Sequence, residues 1–156
     1  GSEYYFSNEV EHTLDVFSTE TLQLLARIPL TDRPNNVAIT PDGEKVYVAI
    51  AGGAFVDVID AQARKNVRSI PTDGWVHNVY VTPDGKHMVA GMIGARSLSV
   101  FDTETDQHVW SLEFDQGVRP MTFEANLDGS AKRIFVQISG FHVVYVVDVA
   151  RRELVQ

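Results

Sequence analysis

The chain has 156 residues, of which 13 are Lys or Arg and 21 are Asp or Glu, so its formal net charge is −8 at pH 7. Such an acidic surface repels phosphate backbones, which argues against nucleic acid as a partner. Cysteine is absent from the sequence, which excludes disulfides, zinc–thiolate sites and cysteine nucleophiles.

One stretch of sequence occurs three times along the chain. Residues 34–49 recur at 76–91, and a looser copy runs from 119 to 129. The Asp-Gly pairs of the three copies begin at residues 42, 84 and 128, so the repeat is 42 and then 44 residues long. A repeat of this length that consists of short strands and turns is typical of a propeller blade.

The unit at 34–75 shows how one repeat is built. Apolar and polar residues alternate at 37–40, and the Thr-Pro-Asp-Gly sequence that follows favours a turn, because proline fixes φ and glycine accepts positive φ. Residues 46–50 form a nearly continuous apolar run, as expected of a strand buried on both faces. With further strands at 55–60 and 66–70, the pattern predicts four antiparallel strands, innermost first.

The two ends of the chain fit the same template incompletely. The first unit starts in its second strand at 4–7, and the last unit stops at 154–156, where a fourth strand begins. The sequence therefore predicts an all-β protein, a β-propeller of four-stranded antiparallel blades in an incomplete ring of about four blades, the first and last partial. Residues 1–2 resemble a cloning scar. The predicted divisions are a partial blade at 3–32, a blade at 33–74, a blade at 75–116 and a partial blade at 117–156.

An open arc of blades leaves apolar faces uncovered at both ends. A face of roughly 500 Å² at ~25 cal/mol/Å² is worth on the order of 12 kcal/mol, which rivals the stability of a whole domain. We therefore expect either self-association of the chain or further blades that complete the ring. One form of self-association is a pair of half-rings in a symmetric eight-bladed assembly with a shared channel.

The strongest copies of the repeat resemble a known family. Val-Ala-Ile-Thr-Pro-Asp-Gly-Glu-Lys-Val-Tyr-Val-Ala at 37–49, followed by Val-Asp-Val-Ile-Asp-Ala at 56–61, is similar to the YVTN-type β-propeller repeat. The last unit departs from it, because Glu-Ala-Asn-Leu at 124–127 replaces the Thr-Pro step. A WD-repeat interpretation is weaker, since no Trp-Asp or Gly-His pair lies where that repeat has one.

The resemblance implies a bacterial or archaeal propeller, often seven-bladed and often exported, so that the expected location is periplasmic or extracellular. It implies no shared catalytic motif. Proteins with such repeats include surface-layer proteins, lactonase-like proteins and the propellers of quinoprotein amine dehydrogenases and haem nitrite reductases.

Propellers bind ligands on the rim where the loops from strand four to the next strand one, and from strand two to strand three, come together. Arginines in such loops suit carboxylate or phosphate groups, and tryptophan adds a stacking surface. The structural alternative is that the arginines are solvated and the tryptophan caps the packing between blades. The candidate ligand-binding residues are Arg33, Asn36, Trp75, His77, Arg96 and Arg119.

Other polar residues are better explained by structure than by chemistry. The histidines considered as metal ligands lack diagnostic spacing, so no metal is predicted; they are His12, His77, His87 and His142. Aspartates at 60, 102 and 148 end the third strands, where they initiate tight turns. No nucleophile elbow, phosphate loop, dinucleotide motif or haem-attachment motif is visible, so no catalytic residue and no cofactor are predicted.

Two functions from different classes fit these observations. The first is a non-enzymatic scaffold or binding domain that binds a protein or a small anionic ligand at the rim. The alternative is a fragment of an exported propeller enzyme, either lactonase-like or a quinoprotein or haem oxidoreductase, whose active centre needs more blades than this chain contains.

Overall fold

The fold is that of a computed structural model, which describes residues 1–155; Gln156, the last residue of the predicted partial blade 117–156, lies outside the described residues. Residues 1–155 form fifteen strands. Consecutive strands pair antiparallel in four separate sheets, one for each repeat. In this part of the chain, no helix has the length and apolar composition needed to cross a membrane.

We number the sheets as blades 1 to 4 in chain order. Blade 1 consists of β1 (Glu3–Asn8), β2 (Thr13–Ser18) and β3 (Leu24–Pro29). Blade 2 consists of β4 (Pro34–Ile39), β5 (Lys45–Ile50), β6 (Phe55–Asp60) and β7 (Lys65–Pro71). Blade 3 consists of β8 (Val76–Val81), β9 (His87–Met92), β10 (Ser97–Asp102) and β11 (His108–Glu113). Blade 4 consists of β12 (Val118–Ala125), β13 (Ala131–Ile138), β14 (Val143–Asp148) and β15 (Glu153–Leu154).

The second strand of a blade is apolar throughout because its two faces contact different blades. In β5, Val46 and Val48 belong to the apolar cluster with Leu14 of blade 1. Tyr47 and Ala49 point the other way, into the cluster that contains residues of blade 3. Alternate residues of one strand thus serve two interfaces, which explains why β5 reads as a continuous apolar run in the sequence.

The predicted fold class is confirmed. The sheets are antiparallel, blades 2 and 3 have four strands, blade 1 has three, and the fourth strand of blade 4 is only two residues long. The ring is therefore incomplete, with partial blades first and last.

Blades 1 and 4 carry apolar side chains on faces that no other described blade covers. On blade 1, the rings of Tyr4, Phe6 and Phe17 pack together with centroid separations of 5.3 to 6.1 Å, although Phe6 remains 59% exposed. On blade 4, Val144 is 56% exposed. These positions are equivalent to buried positions of blade 2, such as Val48 and Val56.

The turns at the two ends of the blades repeat the same backbone geometry. Among the described residues, seven non-glycine residues have positive φ, a conformation that costs most side chains free energy and therefore marks a tight turn. Three precede the third strand of a blade: His12, Arg96 and His142. The other four precede the fourth strand: Leu22, Arg64, Asp106 and Arg152.

Candidate binding rim

We call the upper rim the end of the arc that carries the loops between second and third strands and the linkers from each fourth strand to the next first strand. The linkers lie directly against the loops. A Cβ atom added to Gly52 would lie 2.3 Å from the Asp32 carboxylate, and one added to Gly117 would lie 2.7 Å from Ile93. Glycine at these positions therefore allows the closely packed rim.

Two of the six candidate residues lie where blade 1 connects to blade 2. Arg33 is in the linker, and Asn36 is in β4, which follows the linker. The Arg33 guanidinium donates to the Glu9 carboxylate, with 3.0 Å between Nη1 and Oε1. Asn36 has a structural contact, because its side-chain oxygen accepts a hydrogen bond of 2.8 Å from the Val79 backbone N–H. The first residue faces solvent, while the second ties β4 to the neighbouring innermost strand β8.

Trp75 and His77 enter blade 3 from the next linker. The Trp75 side chain is 69% exposed. His77 is half-buried; its Nδ1 lies 2.5 Å from the Asn78 side-chain oxygen, and its backbone carbonyl accepts a hydrogen bond from Asn35. The histidine backbone is thus part of the contact between innermost strands, and the tryptophan ring is available to a partner.

Arg96 and Arg119 are each held within the rim by neutral oxygen atoms. Arg96 donates from Nη1 to the Asp115 carbonyl at 3.2 Å, and Arg119 donates from Nε to the Ser139 hydroxyl at 2.8 Å. Both side chains keep their positive charge unneutralised by these contacts. Orientation of the guanidinium by neutral acceptors leaves its charge available for recognition.

The structure places the six residues on one rim without joining their side chains into one cluster. The arginines contact different loops, in blades 1, 3 and 4, and Asn36 and His77 contribute to packing. In the described residues, five surface depressions of about 20 to 420 Å³ are lined by other side chains. The six candidate side chains therefore share none of these depressions, although Glu9 and Asp73 of the upper rim each line one.

The charge of the upper rim is mixed. Glu9 neutralises Arg33, and Asp32 lies 3.7 Å from the His12 ring nitrogen. A small anion at this rim meets carboxylates as well as guanidinium groups, whereas a protein surface offers both signs of charge.

No metal site is formed by the histidines within residues 1–155, because no group of three or more His, Asp or Glu side chains there is arranged to hold an ion. His12 and His142 both lie in upper-rim turns with positive φ, in separate blades. His87 starts β9 near the opposite end of blade 3.

The opposite end, which we call the lower rim, is formed by the repeated turns. Thr40 Oγ1 donates to the Asp42 carboxylate at 2.6 Å, and the Thr82–Asp84 pair repeats that bond at 2.6 Å. The pKa of Asp42 lies below its ordinary value, first because of the hydrogen bond from Thr40 and next because of the Glu44 backbone N–H. These aspartates close turns, in agreement with the structural explanation given by their sequence.

Two carboxylates with strong structural contacts were missed by sequence reasoning. Asp57 is fully buried in β6, where Thr31, Asn66 and Ser69 donate hydrogen bonds to it. Asp106 reaches from a turn of blade 3 to Lys45 of blade 2. A comparison of equivalent positions in the repeat could have found both. The position of Asp57 is also Asp at 15 but Ser at 99, and the position of Asp106 is occupied by the oppositely charged Arg64 in blade 2.

Comparison with known proteins supports the fold. No family model matches the chain, and no curated protein matches it. Among solved structures, a chain of Kuenenia stuttgartiensis hydrazine synthase is 26% identical over 100% of this chain, with a TM-score of 0.87. The chain spans 45% of that chain's length.

Two further structures are more distant in sequence. U3-55K and the RRP9 WD40 repeats are each 14% identical over 98% of this chain, with TM-scores of 0.84; the chain spans 47% and 46% of their lengths. At this level of identity they share the fold only. The four antiparallel sheets together with these matches identify the chain as an arc of a β-propeller, a fold that presents binding surfaces on a rigid scaffold.

Proposed function

We propose that the chain is the non-enzymatic binding scaffold of a YVTN-type β-propeller from a bacterium or archaeon, and that its upper rim binds a protein partner. The observation that carries this proposal is Trp75, which is 69% exposed on a rim that also presents Arg96 and Arg119. Tryptophan and arginine are enriched among the residues that dominate the energy of protein–protein contacts.

A protein partner fits the rim better than a small anionic ligand. Arg33 is already paired with Glu9, and Arg96 and Arg119 contact different loops, so the three guanidinium groups form no single anion pocket. A large partner can contact all three loops at once. Mixed charge on the rim adds specificity and a faster association rate more than affinity.

The test uses a photoreactive phenylalanine analogue in place of Trp75, with the same analogue in place of Leu127 as the matched control. Leu127 is also exposed and lies in a lower-rim turn. We expect the analogue at position 75 to cross-link one protein from the source cell, and the control to leave that protein uncaptured. The combined Arg33→Ala and Arg119→Ala substitutions should weaken binding of the captured protein about tenfold or more without unfolding the chain. Equal capture at both positions, or unchanged affinity of the double variant, would overturn the rim assignment.

A second candidate function is a part of a larger exported enzyme, favoured by the 26% identity to a hydrazine synthase chain over the whole of this chain. In that case the active centre is completed by further blades or by another domain. The absorbance spectrum of the complete natural protein, purified from its source, distinguishes the two candidates. A coloured cofactor supports the enzyme, and a spectrum of aromatic residues alone combined with rim binding supports the scaffold.

Two further proposals rest on the same resemblance and on the open faces. We propose a periplasmic or extracellular location, which fractionation of the source cell tests. We also propose that additional blades or a second copy cover the face around Phe6, 59% exposed, and the face around Val144, 56% exposed. Sedimentation of the purified chain tests this point, since a single 17.3 kDa species at high concentration would argue against self-association.

A further inference from the structure

One position in the middle of the third strand differs in chemistry from blade to blade. At this position each residue lies directly opposite a residue in the middle of the second strand of its blade. From blade 1 to blade 4 the residues are Asp15, Asp57, Ser99 and Tyr145. Blades 2 and 3 are the informative pair, because their sequences align without a gap at a spacing of 42 residues.

In blade 2 the position holds a buried carboxylate that is fully hydrogen-bonded. Asp57 Oδ2 accepts from the Thr31 N–H at 2.7 Å and from Asn66 Nδ2 at 2.8 Å. Asp57 Oδ1 accepts from the hydroxyls of Thr31 at 2.7 Å and Ser69 at 2.6 Å. Four donors from the linker and the fourth strand thus surround one carboxylate, as a buried charge requires.

In blade 3 the carboxylate is absent, and three of the four donors of blade 2 have counterparts. Ser99 replaces Asp57, and its hydroxyl lies 2.8 Å from the hydroxyl of Ser111, the counterpart of Ser69. His108, the counterpart of Asn66, lies 2.7 Å from the same Ser111 hydroxyl through Nε2. The Ser99 hydroxyl thus contacts Ser111 as Asp57 Oδ1 contacts Ser69, and the shorter serine side chain leaves no counterpart of Asp57 Oδ2.

A depression of about 200 Å³ opens at this point between blades 2 and 3. Its polar lining residues are Asp73, Ser99, His108 and Ser111, and its apolar ones include Pro71 and Phe101. Asp73 is the counterpart of Thr31, whose N–H donates to Asp57. Within residues 1–155 no hydrogen bond uses the Asp73 N–H, so this donor remains available to a ligand.

The Asp73 side chain favours a positively charged group in the same depression, whereas the hydrogen-bond donors favour a negatively charged one. Its carboxylate replaces the Thr31 hydroxyl and is exposed, so it repels a simple anion and attracts an ammonium group. A ligand that satisfies both halves of the site carries a carboxylate and an ammonium group a few bonds apart. The α-amino acid zwitterion has this arrangement, and the volume restricts the choice to small amino acids.

We propose that the depression between blades 2 and 3 binds a small α-amino acid, whose carboxylate lies where the missing counterpart of Asp57 Oδ2 would be and whose ammonium group contacts Asp73. The carboxylate accepts hydrogen bonds from the Asp73 N–H and from one hydroxyl of the Ser99–Ser111 pair, whose other hydroxyl donates within the pair. Phe101 and Pro71 form the apolar wall beside the α-carbon.

The test is a titration of the whole chain, followed by amide chemical shifts, with glycine, acetate and methylammonium as separate probes at equal ionic strength. Glycine should shift the amide signals of Asp73 and Ser111 in a saturable manner, and the two half-ligands should bind about tenfold or more weakly. No saturable shift at about 100 mM glycine, or equal behaviour of the three probes, overturns the proposal.

Two substitutions locate the carboxylate. Ser99→Asp restores the arrangement of blade 2 and fills the space, so glycine binding should fall about tenfold or more. Ser111→Ala removes one donor at an exposed residue, and it should weaken glycine binding comparably even where the first variant fails to fold. Thr13→Ala, which removes a hydroxyl that donates to Asp15 in blade 1, is the matched control and should bind as the unchanged chain does. Unchanged binding by the Ser111→Ala chain overturns the site.

A third substitution locates the ammonium group. Asp73→Thr copies the Thr31 residue of blade 2, so the preference for glycine over acetate should disappear and acetate should bind as tightly as glycine. If the variant keeps the tenfold preference for glycine, the assigned role of Asp73 is wrong.

Discussion

Two neighbouring junctions, between blades 1 and 2 and between blades 2 and 3, have polar contacts at the same three equivalent positions. The signs of the two charged residues are exchanged between the junctions. At the first junction, Glu3 of β1 pairs with Arg64, which lies in a turn of blade 2. At the second, Lys45 of β5 pairs with Asp106 in the equivalent turn of blade 3, at 3.1 Å. Both turn residues have positive φ, 50° and 58°, so the backbone presents the side chain to the preceding blade in the same way.

A tyrosine completes each arrangement. The Tyr5 hydroxyl donates to the Glu3 carboxylate at 3.3 Å, and the Tyr47 hydroxyl donates to the Asp106 carboxylate at 3.1 Å. The acceptor lies on the strand in one junction and on the turn in the other. Turn geometry therefore determines where the side chains meet. Either residue can carry the positive charge, provided that the other carries the negative charge.

The exchange of charge gives each junction its own specificity. A blade with Arg64 in its turn matches a preceding strand with Glu3 and opposes one with Lys45, since like charges at this distance repel. At the third junction, His87 and Arg152 occupy the equivalent positions and Val89 replaces the tyrosine. The polar contact thus distinguishes neighbouring blades whose apolar faces are similar.

The largest effect expected from a single substitution is at Asp57, which ties the linker from blade 1 to blade 2. Asp57→Ala removes the buried carboxylate that accepts hydrogen bonds from Thr31, Asn66 and Ser69, and hydrogen bonds to a charged group contribute about 1.5–3 kcal/mol. We expect the free energy of unfolding to fall by about 3 kcal/mol, measured by urea denaturation. Ser99→Ala, the same position in blade 3, is the control and should cost less than about 1 kcal/mol. Equal losses would contradict the difference between the two blades.

The next largest effect separates the two ion pairs. Asp106→Asn keeps the side-chain shape and tolerates positive φ, yet it removes the charge that faces Lys45 and Tyr47. Asp106 is only 10% exposed, so we expect a loss of about 1–2 kcal/mol in unfolding free energy. The pair of Arg64 and Glu3 is more exposed, at 37% and 23%, and Arg64→Gln should cost under about 0.5 kcal/mol. A larger loss for Arg64→Gln would reverse this ranking.

A charge exchange tests whether geometry or charge sign matters at the second junction. Lys45→Asp alone places a carboxylate beside Asp106 and should destabilise the chain by about 1 kcal/mol or more. The combined Lys45→Asp and Asp106→Lys substitutions copy the polarity of the first junction and should recover part of that loss, because Arg68, which lies 3.7 Å from the Asp106 carboxylate, then faces a second cation. The coupling energy comes from a double-mutant cycle of unfolding free energies. Additive losses in the double variant would show that the interaction depends on the native polarity.

The sequence predicts the blades better than it predicts these contacts. Repeats of 42 residues and alternating apolar residues give the four sheets, because strand pairing follows local pattern and turn chemistry. The partners of Arg96 and Arg119 are a backbone carbonyl and a serine of another loop, and no sequence pattern encodes such contacts. Asp57 was interpreted only as part of a strand, because its donors come from residue 31 in one direction and residues 66 and 69 in the other.

Alkaline pH offers the finest comparison of the two junctions. Burial, followed by the Asp106 carboxylate, raises the pKa of Tyr47 above the ordinary value of 10.0, and burial followed by Glu3 raises the pKa of Tyr5. A raised pKa in the folded state means that each hydroxyl contributes full stability below pH 10 and progressively less as pH rises above that value. Ionisation of Tyr47 should therefore coincide with unfolding when tyrosinate absorbance and circular dichroism are followed together.

Tyr47→Phe should remove part of the loss of stability above pH 10, and Tyr5→Phe should remove less, because Tyr5 is half-buried and Tyr47 is 1% exposed. Identical pH profiles for the two variants would show that the polar contacts at the two junctions are equally shielded from water.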